Sequence, residues 1–254
     1  MKFLNITRKL FSSSNPHTIK NFFPRSNQKE GFEYRVFLHK DPDGIHKASY
    51  WHDVPLINPS DSTYNMVIEV PRGECAKMEM SKETHNPIKQ DVKKNKITQE
   101  SYLRFYKLTP NFNYGFLPRT WENNQVKYFE KYVGDNDPLD LVELSTTKRY
   151  HVGQIIKVYP VGSFCLIDQD ECDWKLLVVD SDEINIDESR NFLKKEENMN
   201  RIKEIQKWFK IYKTYEGKNE NIIYNNDMIL NVDDTLKVIE ESHKYYMDLL
   251  NFKV

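Results

Sequence analysis

The 254-residue sequence predicts an α+β fold with a mainly β core. Three observations carry that prediction. Short apolar stretches with strand periodicity recur up to residue 180, and Pro, Gly or Asp separates them. No sustained helical pattern appears before residue 199. The hydrophobic fraction is 39% and the aromatic fraction 13%, with fifteen Tyr and fourteen Phe, so a sizeable core is available and disorder is excluded for most of the chain.

The folded part is expected to begin near Gly31. FEYRVFL (32–38) places Phe32, Tyr34, Val36 and Leu38 on one face, and DPDG (41–44) reads as a tight turn. Strand candidates follow at YNMVIEV (64–70), QIIKVYPV (154–161), SFCLI (163–167) and KLLVVD (175–180). The polar KKNKITQESY (93–102) reads as an exposed loop or hairpin tip. In 199–212, Ile202, Ile205, Trp208 or Phe209, and Tyr212 recur at helical spacing. In 233–250, Leu236, Ile239, His243, Tyr246 or Met247, and Leu250 do the same, with Asp233 or Asp234 as N-cap. Both stripes read as core-facing, and His243 as a packed histidine rather than a ligand. Short strands before any long helix point to a barrel or a sandwich. No internal repeat or domain boundary is visible, so 31–254 reads as a single domain.

With 37 basic and 38 acidic residues, charge argues neither for nor against nucleic acid. Its distribution is uneven. Residues 1–29 carry six Lys/Arg and no Asp or Glu, and Phe3, Leu4, Ile6, Leu10 and Phe11 can form one apolar stripe. That is the composition of a mitochondrial or plastid transit peptide, the alternative being a disordered basic tail, so 1–30 is set apart. Six charges with little aromatic interleaving are a weak nucleic-acid footprint, and no such partner is expected. No apolar run approaches the roughly 20 residues that cross a bilayer, so no membrane partner is expected either. Cys75, Cys165 and Cys172 have no CxxC spacing, which indicates neither a disulfide framework nor a zinc site.

The chemistry is concentrated in VGDNDPLDL (133–141). Asp135, Asp137 and Asp140 crowd between apolar residues, and Asp140, between Leu139 and Leu141, is placed on a strand or strand entry. A second set, Asp168, Asp170, Glu171 and Asp173, lies between two strand-like runs. If those strands pair near the first cluster, five or more carboxylates meet in one cavity. Like charges at that density repel, more so at low dielectric, and divalent cations reverse the sign. Oxygen ligands suit Mg2+ or Mn2+. A calcium EF-hand is excluded, because counting from Asp135 its Gly position is Asp140 and its Glu position is Thr146. Carboxylate-held magnesium serves phosphate chemistry, which calls for cationic and hydroxyl partners. Lys77 with Glu79, Arg104, Tyr114, Lys175, Tyr212 and Lys213 are candidates, though composition alone does not pick them out.

VGDNDPLDLVEL resembles the D-x-D-P-x-D hallmark of the family I soluble inorganic pyrophosphatases. WHDVPL (51–56), NMVIEVPR (65–72), AKMEM (76–80), NPIKQDVKK (86–94), NYGFLPRTWE (113–122), CDWKLLVVD (172–180) and WFKIYKTYEGK (208–218) each resemble a segment of the family, in the family's order. The form is the longer eukaryotic one, organellar members included. The resemblance implies a five-stranded OB-like β-barrel with flanking α-helices. It implies Mg2+-dependent hydrolysis of inorganic pyrophosphate to two phosphates by direct attack of a metal-activated water. Several Mg2+ ions serve each site, with Mn2+ or Zn2+ as substitutes. By position, Asp135, Asp140 and Asp173 match the ligands of the activating metals. Asp168 and Glu79 match ligands, direct or through water, of metals that arrive with substrate. Asp137 matches the general base and Glu69 a further acidic residue of the cavity. Arg104, Lys77, Tyr114, Lys175, Tyr212 and Lys213 match the groups that grip the two phosphoryl units.

The sequence also departs from the family. RGEC (72–75) stands where eukaryotic members carry RWTN, so Gly73 replaces a Trp of the subunit contact and the homodimer is in question. The chain is longer than typical between Asn86 and Arg104 and shorter between Arg104 and Tyr114, which exposes Arg104 to misplacement. DQDECDW replaces DEGETDW, and Cys172 beside a metal position becomes a candidate for oxidation-sensitive activity. Two other readings stand beside hydrolysis: an interaction subunit, as pyrophosphatase-like chains are in chromatin-remodelling assemblies, and side activity on organic diphosphates. The complete set of site residues argues against the first. The expected address is mitochondrial or another organelle if 1–30 is a transit peptide, and cytoplasmic otherwise.

Overall fold

The computed structural model describes residues 22–27 and 30–251. Fifteen strands are assigned among them. The first eight are β1 (Phe23–Ser26), β2 (Val36–His39), β3 (Lys47–Ala48), β4 (Tyr64–Val70), β5 (Met78–Met80), β6 (Ile88–Gln90), β7 (Val92–Lys94) and β8 (Ser101–Leu103). Then come β9 (Asn113–Phe116), β10 (Lys127–Tyr128), β11 (Tyr132–Gly134), β12 (Asp140–Glu143), β13 (Ile155–Asp168), β14 (Glu171–Asp180) and β15 (Ile222–Ile223). Three helices of six or more residues follow β14 in the chain: α1 (Ile186–Asn191), α2 (Glu196–Ile211) and α3 (Val232–Asn251).

Five strands close on themselves. β4 pairs with β9, β9 with β12, β12 with β14, β14 with β13, and β13 returns to β4. Only the β12–β14 pairing is parallel among these. Closure removes exposed edges and makes this the OB-like barrel that the family resemblance implies, not the sandwich that the strand pattern leaves open. Alternation along the strands separates two faces. Leu176 and Val178 enter one buried cluster with Met66, Ile68 and Leu141, while Leu177 and Val179 enter another with Val142 and Phe164. Gly115 is required where β9 crosses β4, because a Cβ there would lie 1.9 Å from the Val67 carbonyl oxygen. A second sheet of β1, β2, β6 and β5, with β3 beside β2, covers one flank.

Several elements differ from expectation. The break expected at Gly162 is a register shift between Pro160 and Gly162, so 154–161 and 163–167 form one strand, β13. β14 begins at Glu171 rather than 175, because Gln169 and Asp170 turn the chain in two residues with φ of 54° and 67°. Of FEYRVFL only the end is β2, and Phe32 is exposed because the preceding residues turn. β1 lies ahead of Gly31, inside the stretch set apart as an extension. It forms because Phe23–Ser26 pairs antiparallel with β2 through Val36–His39, a tertiary contact that local composition does not encode. Residues 1–21 of the proposed leader lie outside the described residues. The polar stretch 93–102 is the β7–β8 hairpin.

The helices bury the faces their stripes predict. Ile202, Ile205, Trp208 and Phe209 of α2 pack on the barrel, and Leu236, Ile239 and Tyr246 of α3 are buried. The cap of α3 is Asn231, whose side-chain oxygen accepts from the Asp234 N–H at 3.0 Å. Asp233 and Asp234 sit instead in the first turn, where the helix dipole favours them. Leu250 is exposed at the end of the stripe. His243 Nδ1 lies 2.7 Å from the Arg119 carbonyl, a packed histidine as expected.

Glu143 of β12 is fully buried, accepting from Asn113 Nδ2 at 2.8 Å and from the Ser145 N–H at 3.0 Å. Burial pushes its carboxyl up to about 7, against the pull of those two bonds. A raised acid binds more protons folded than unfolded. Its stabilising share is therefore present below about pH 4.5 and lost as pH rises through about 7. Glu143→Gln should flatten that part of the stability profile, gaining on wild type by as much as about 3 kcal/mol between these limits. Urea unfolding at a series of pH values measures it, and parallel profiles for the two chains would refute it.

Candidate active site

The parallel contacts of β14 assemble the carboxylates. β11 runs beside β14 with Gly134 opposite Cys172, so the chain leaves β11 with Asp135 next to Asp173. β12 runs beside the same strand with Asp140 opposite Lys175. Between them the chain turns at Asn136, φ 70°, and the Asp137 N–H donates to Asp135 Oδ1 at 2.9 Å. The two acidic segments of the sequence thus meet across one strand.

They line a cavity of about 580 Å3. All thirteen residues matched to the family's site border it: Glu69, Lys77, Glu79, Arg104, Tyr114, Asp135, Asp137, Asp140, Asp168, Asp173, Lys175, Tyr212 and Lys213. Asp170 and Glu171 do not, because the hairpin turn carries them away. Arg104, the residue most exposed to misplacement, is buried at the rim, its guanidinium 3.1 Å from Asp91 and 3.2 Å from Glu216. Lys77 contacts Glu79 at 2.6 Å and Asp91 at 3.2 Å. Lys213 pairs with Asp168. Lys82 reaches Asp137 at 3.0 Å, an exposed pair.

Lys175 is 2% exposed and sits between two carboxylates, paired with Asp140 and 2.5 Å from Asp173. Burial alone would lower its ammonium, but Asp140 and Asp173 raise it above the ordinary value, so it stays charged. Tyr114 also donates to Asp140, and burial followed by that carboxylate holds its phenol protonated. The carboxyl of Asp173 is pushed up to about 7, first by burial and then by Asp140, with Lys175 opposing. Asp135 rises well above its ordinary value by burial and by Asp173 and Asp140. Glu69 rises too, mainly by burial, while the Met80 N–H donates to it at 2.6 Å. Carboxyls raised in this way mark a place where positive charge is in short supply.

The sequence reading missed Glu122 and four lysines. Glu122 offers a carboxylate oxygen within 4.8 Å of those of Asp135 and Asp173, while one Asp140 oxygen is engaged by Lys175 and Tyr114. Lys82, Lys89, Lys93 and Lys218 border the cavity, and Glu122 is not among the residues that line it. Glu122 is a single acid after Trp121, and the lysines lie in polar stretches, so no pattern marks them. Cys172, by contrast, does not line the cavity. Strand alternation turns it away from Asp173, into the core against Cys165. The Cys165 contact and then burial push its thiol up, and its place next to Asp173 in sequence does not put it in the site.

The donor set fits a hard divalent cation. It consists of oxygen atoms, it is fully buried at Glu122 and less so at Asp135 and Asp173, and Glu122 Oε2 is a buried acceptor with no hydrogen-bond partner among the described residues.

A model of the inorganic pyrophosphatase family matches residues 66–247. The chain is 36% identical to soluble inorganic pyrophosphatase 6, chloroplastic, of Arabidopsis thaliana, over 89% of this chain and 73% of the relative. It is 34% identical to the inorganic pyrophosphatase of Dictyostelium discoideum, over 96% and 88%. Among solved structures, the N-terminally truncated vacuolar soluble pyrophosphatase of Trypanosoma cruzi in complex with PPi superposes with a TM-score of 0.76 at 30% identity, covering 94% of this chain and 97% of that one. The type I inorganic pyrophosphatase of Toxoplasma gondii gives 0.76 at 29%, covering 90% and 99%.

A cation must displace protons from raised carboxyls before it binds. Without metal, the stabilising share of Asp173 is present below its unfolded value near 3.8 and lost as pH rises through about 7. The Tm gain on adding millimolar Mg2+ to chelator-treated protein should therefore be larger at pH 8 than at pH 5.5. Scanning calorimetry reads the difference, and equal gains at both pH values would rule this account out.

Proposed function

The chain belongs to the inorganic pyrophosphatase family and is an inorganic diphosphatase, and on that premise we propose how its own residues divide the hydrolysis. The observation that carries the reading is the shared cavity. It is bordered at once by the acidic group and by Lys77, Arg104, Lys175, Tyr212 and Lys213, the pairing that a metal-bearing polyanion needs.

Asp135, Asp140 and Asp173 would hold the activating Mg2+ ions, and Asp168 and Glu79 would receive those that accompany substrate. When bound, these cations lower the pKa of water and neutralise phosphate charge. Asp137 accepts the proton of the attacking water. Its carboxyl is one of the more exposed of the acidic set, and the turn that bonds its N–H to Asp135 holds it beside the ligands. The water oxygen bonds to one phosphorus, the bridging P–O bond breaks, and the second phosphate leaves. Arg104, Lys77, Tyr212 and Lys213 orient the two phosphoryl groups, and Lys175 with Tyr114 offers donors to developing charge. Glu69 closes the acidic wall. No covalent intermediate is involved, which agrees with the lack of a Ser/His or Cys/His arrangement.

We also propose that the basic N-terminus directs import into an organelle, and that a cleavable leader ends before β1, since removing all of 1–30 would strip a paired strand from the second sheet. Relatives named chloroplastic are consistent with an imported form.

Asp137→Asn should lower kcat for phosphate release by about 10²- to 10⁴-fold at saturating Mg2+, leaving metal affinity nearly unchanged. Asp135→Asn should instead raise the Mg2+ concentration required. Malachite-green assays across a Mg2+ titration separate the two, and an Asp137→Asn enzyme with near-normal kcat would remove Asp137 as the base. For the address, a fluorescent protein carrying residues 1–22 should enter an organelle, and uniform cytoplasmic fluorescence would refute import.

A further inference from the structure

Glu122 lies in the connection after β9, outside every acidic cluster of the sequence, yet its bonds run to both halves of the site. Its side chain accepts from the Trp174 N–H at 2.8 Å, one residue past Asp173. Its own N–H donates to the Asp137 carbonyl at 2.8 Å, and its carbonyl accepts from the Asn136 N–H at 3.0 Å. Gly134 permits this approach, because a Cβ there would stand 2.5 Å from the Glu122 carbonyl. Glu122 is 0% exposed, and its second oxygen, Oε2, has no hydrogen-bond partner among the described residues. A carboxylate oxygen of Glu122 lies within 4.8 Å of oxygens of Asp135 and Asp173. A buried acceptor left without a donor is unfavourable unless something positive completes it.

We propose that Glu122 is a positioning residue of the metal group. Its backbone and one oxygen tie the Asp135–Asp137 turn to the Asp173 strand, while its remaining negative charge tightens the binding of a divalent cation between Asp135 and Asp173. This rests on the metal-dependent reading above.

Charge and shape make opposite predictions for two variants. Glu122→Gln keeps the length and an acceptor for Trp174 but loses the charge. Glu122→Asp keeps the charge but shortens the arm. Mn2+ titration of the free protein, followed by electron paramagnetic resonance of unbound Mn2+, should show affinity falling about ten- to hundredfold for Glu122→Gln and less than tenfold for Glu122→Asp. Wild-type affinity in Glu122→Gln, or the reverse order of the two, overturns the proposal. Should Glu122→Gln not fold, a loss above tenfold in Glu122→Asp overturns it alone. Phosphate release from pyrophosphate with Mg2+ on the same samples keeps the two readings apart. A wild type that binds Mn2+ without releasing phosphate sinks the hydrolytic mechanism and leaves the Glu122 ranking intact. An active enzyme whose Mn2+ affinity ignores Glu122 sinks only this proposal.

Discussion

The cavity depends on one buried ammonium. Lys175 projects from β14 between Asp140 and Asp173, and without it two carboxylates would face each other in a desolvated space. Its charge offsets part of that repulsion but not all, as the raised carboxyls of Asp135 and Asp173 indicate. The remainder is an electrostatic deficit that a divalent cation is suited to fill. Structure and chemistry are therefore coupled through one strand: β14 carries Asp173 and Lys175, and both segments of VGDNDPLDL register against it.

A closed barrel supplies the rigidity this arrangement requires. Carboxylates that repel will separate if the backbone yields. Here β14 is held by β12 on one side and β13 on the other, while β11 extends alongside. The aromatic packing of α2, with Trp208 stacked on Tyr212 at 4.7 Å and Tyr106 edge-on to both, sets Tyr212 and Lys213 at the rim. The cationic rim is cross-linked in turn. Arg104 is bonded to Asp91 and Glu216, so it is oriented before any anion arrives.

Departures from the family's pattern fall away from this centre or are absorbed by it. The longer stretch after Asn86 becomes the β7–β8 hairpin, and the shorter one after Arg104 still delivers Tyr114 to the cavity. Gly73 adopts φ 84°, a left-handed conformation that suits glycine, and a Cβ there would meet nothing within 4 Å. Cys172 is separated from the site by the alternation of β14, although it adjoins Asp173 in sequence.

What the sequence determined by itself was whatever is written in local pattern or in a long, ordered resemblance. YNMVIEV matches β4 in full, and α2 and α3 follow from their apolar stripes. Most of the thirteen site residues could be named because they sit in recognisable segments, whereas no pattern marks the lining lysines Lys82, Lys89, Lys93 and Lys218. The remainder depends on contacts between distant segments. Strand β1 exists because β2 offers it an edge, and the α3 cap is Asn231 because its side chain reaches the Asp234 N–H. Glu122 is ordinary in sequence and becomes part of the acidic group only because Gly134 lets its backbone approach and Trp174 fixes its carboxylate. Periodicity reports which face of an element is buried. It does not report which charges from separate elements come to share one low-dielectric space, and that sharing is the source of this site's electrostatics.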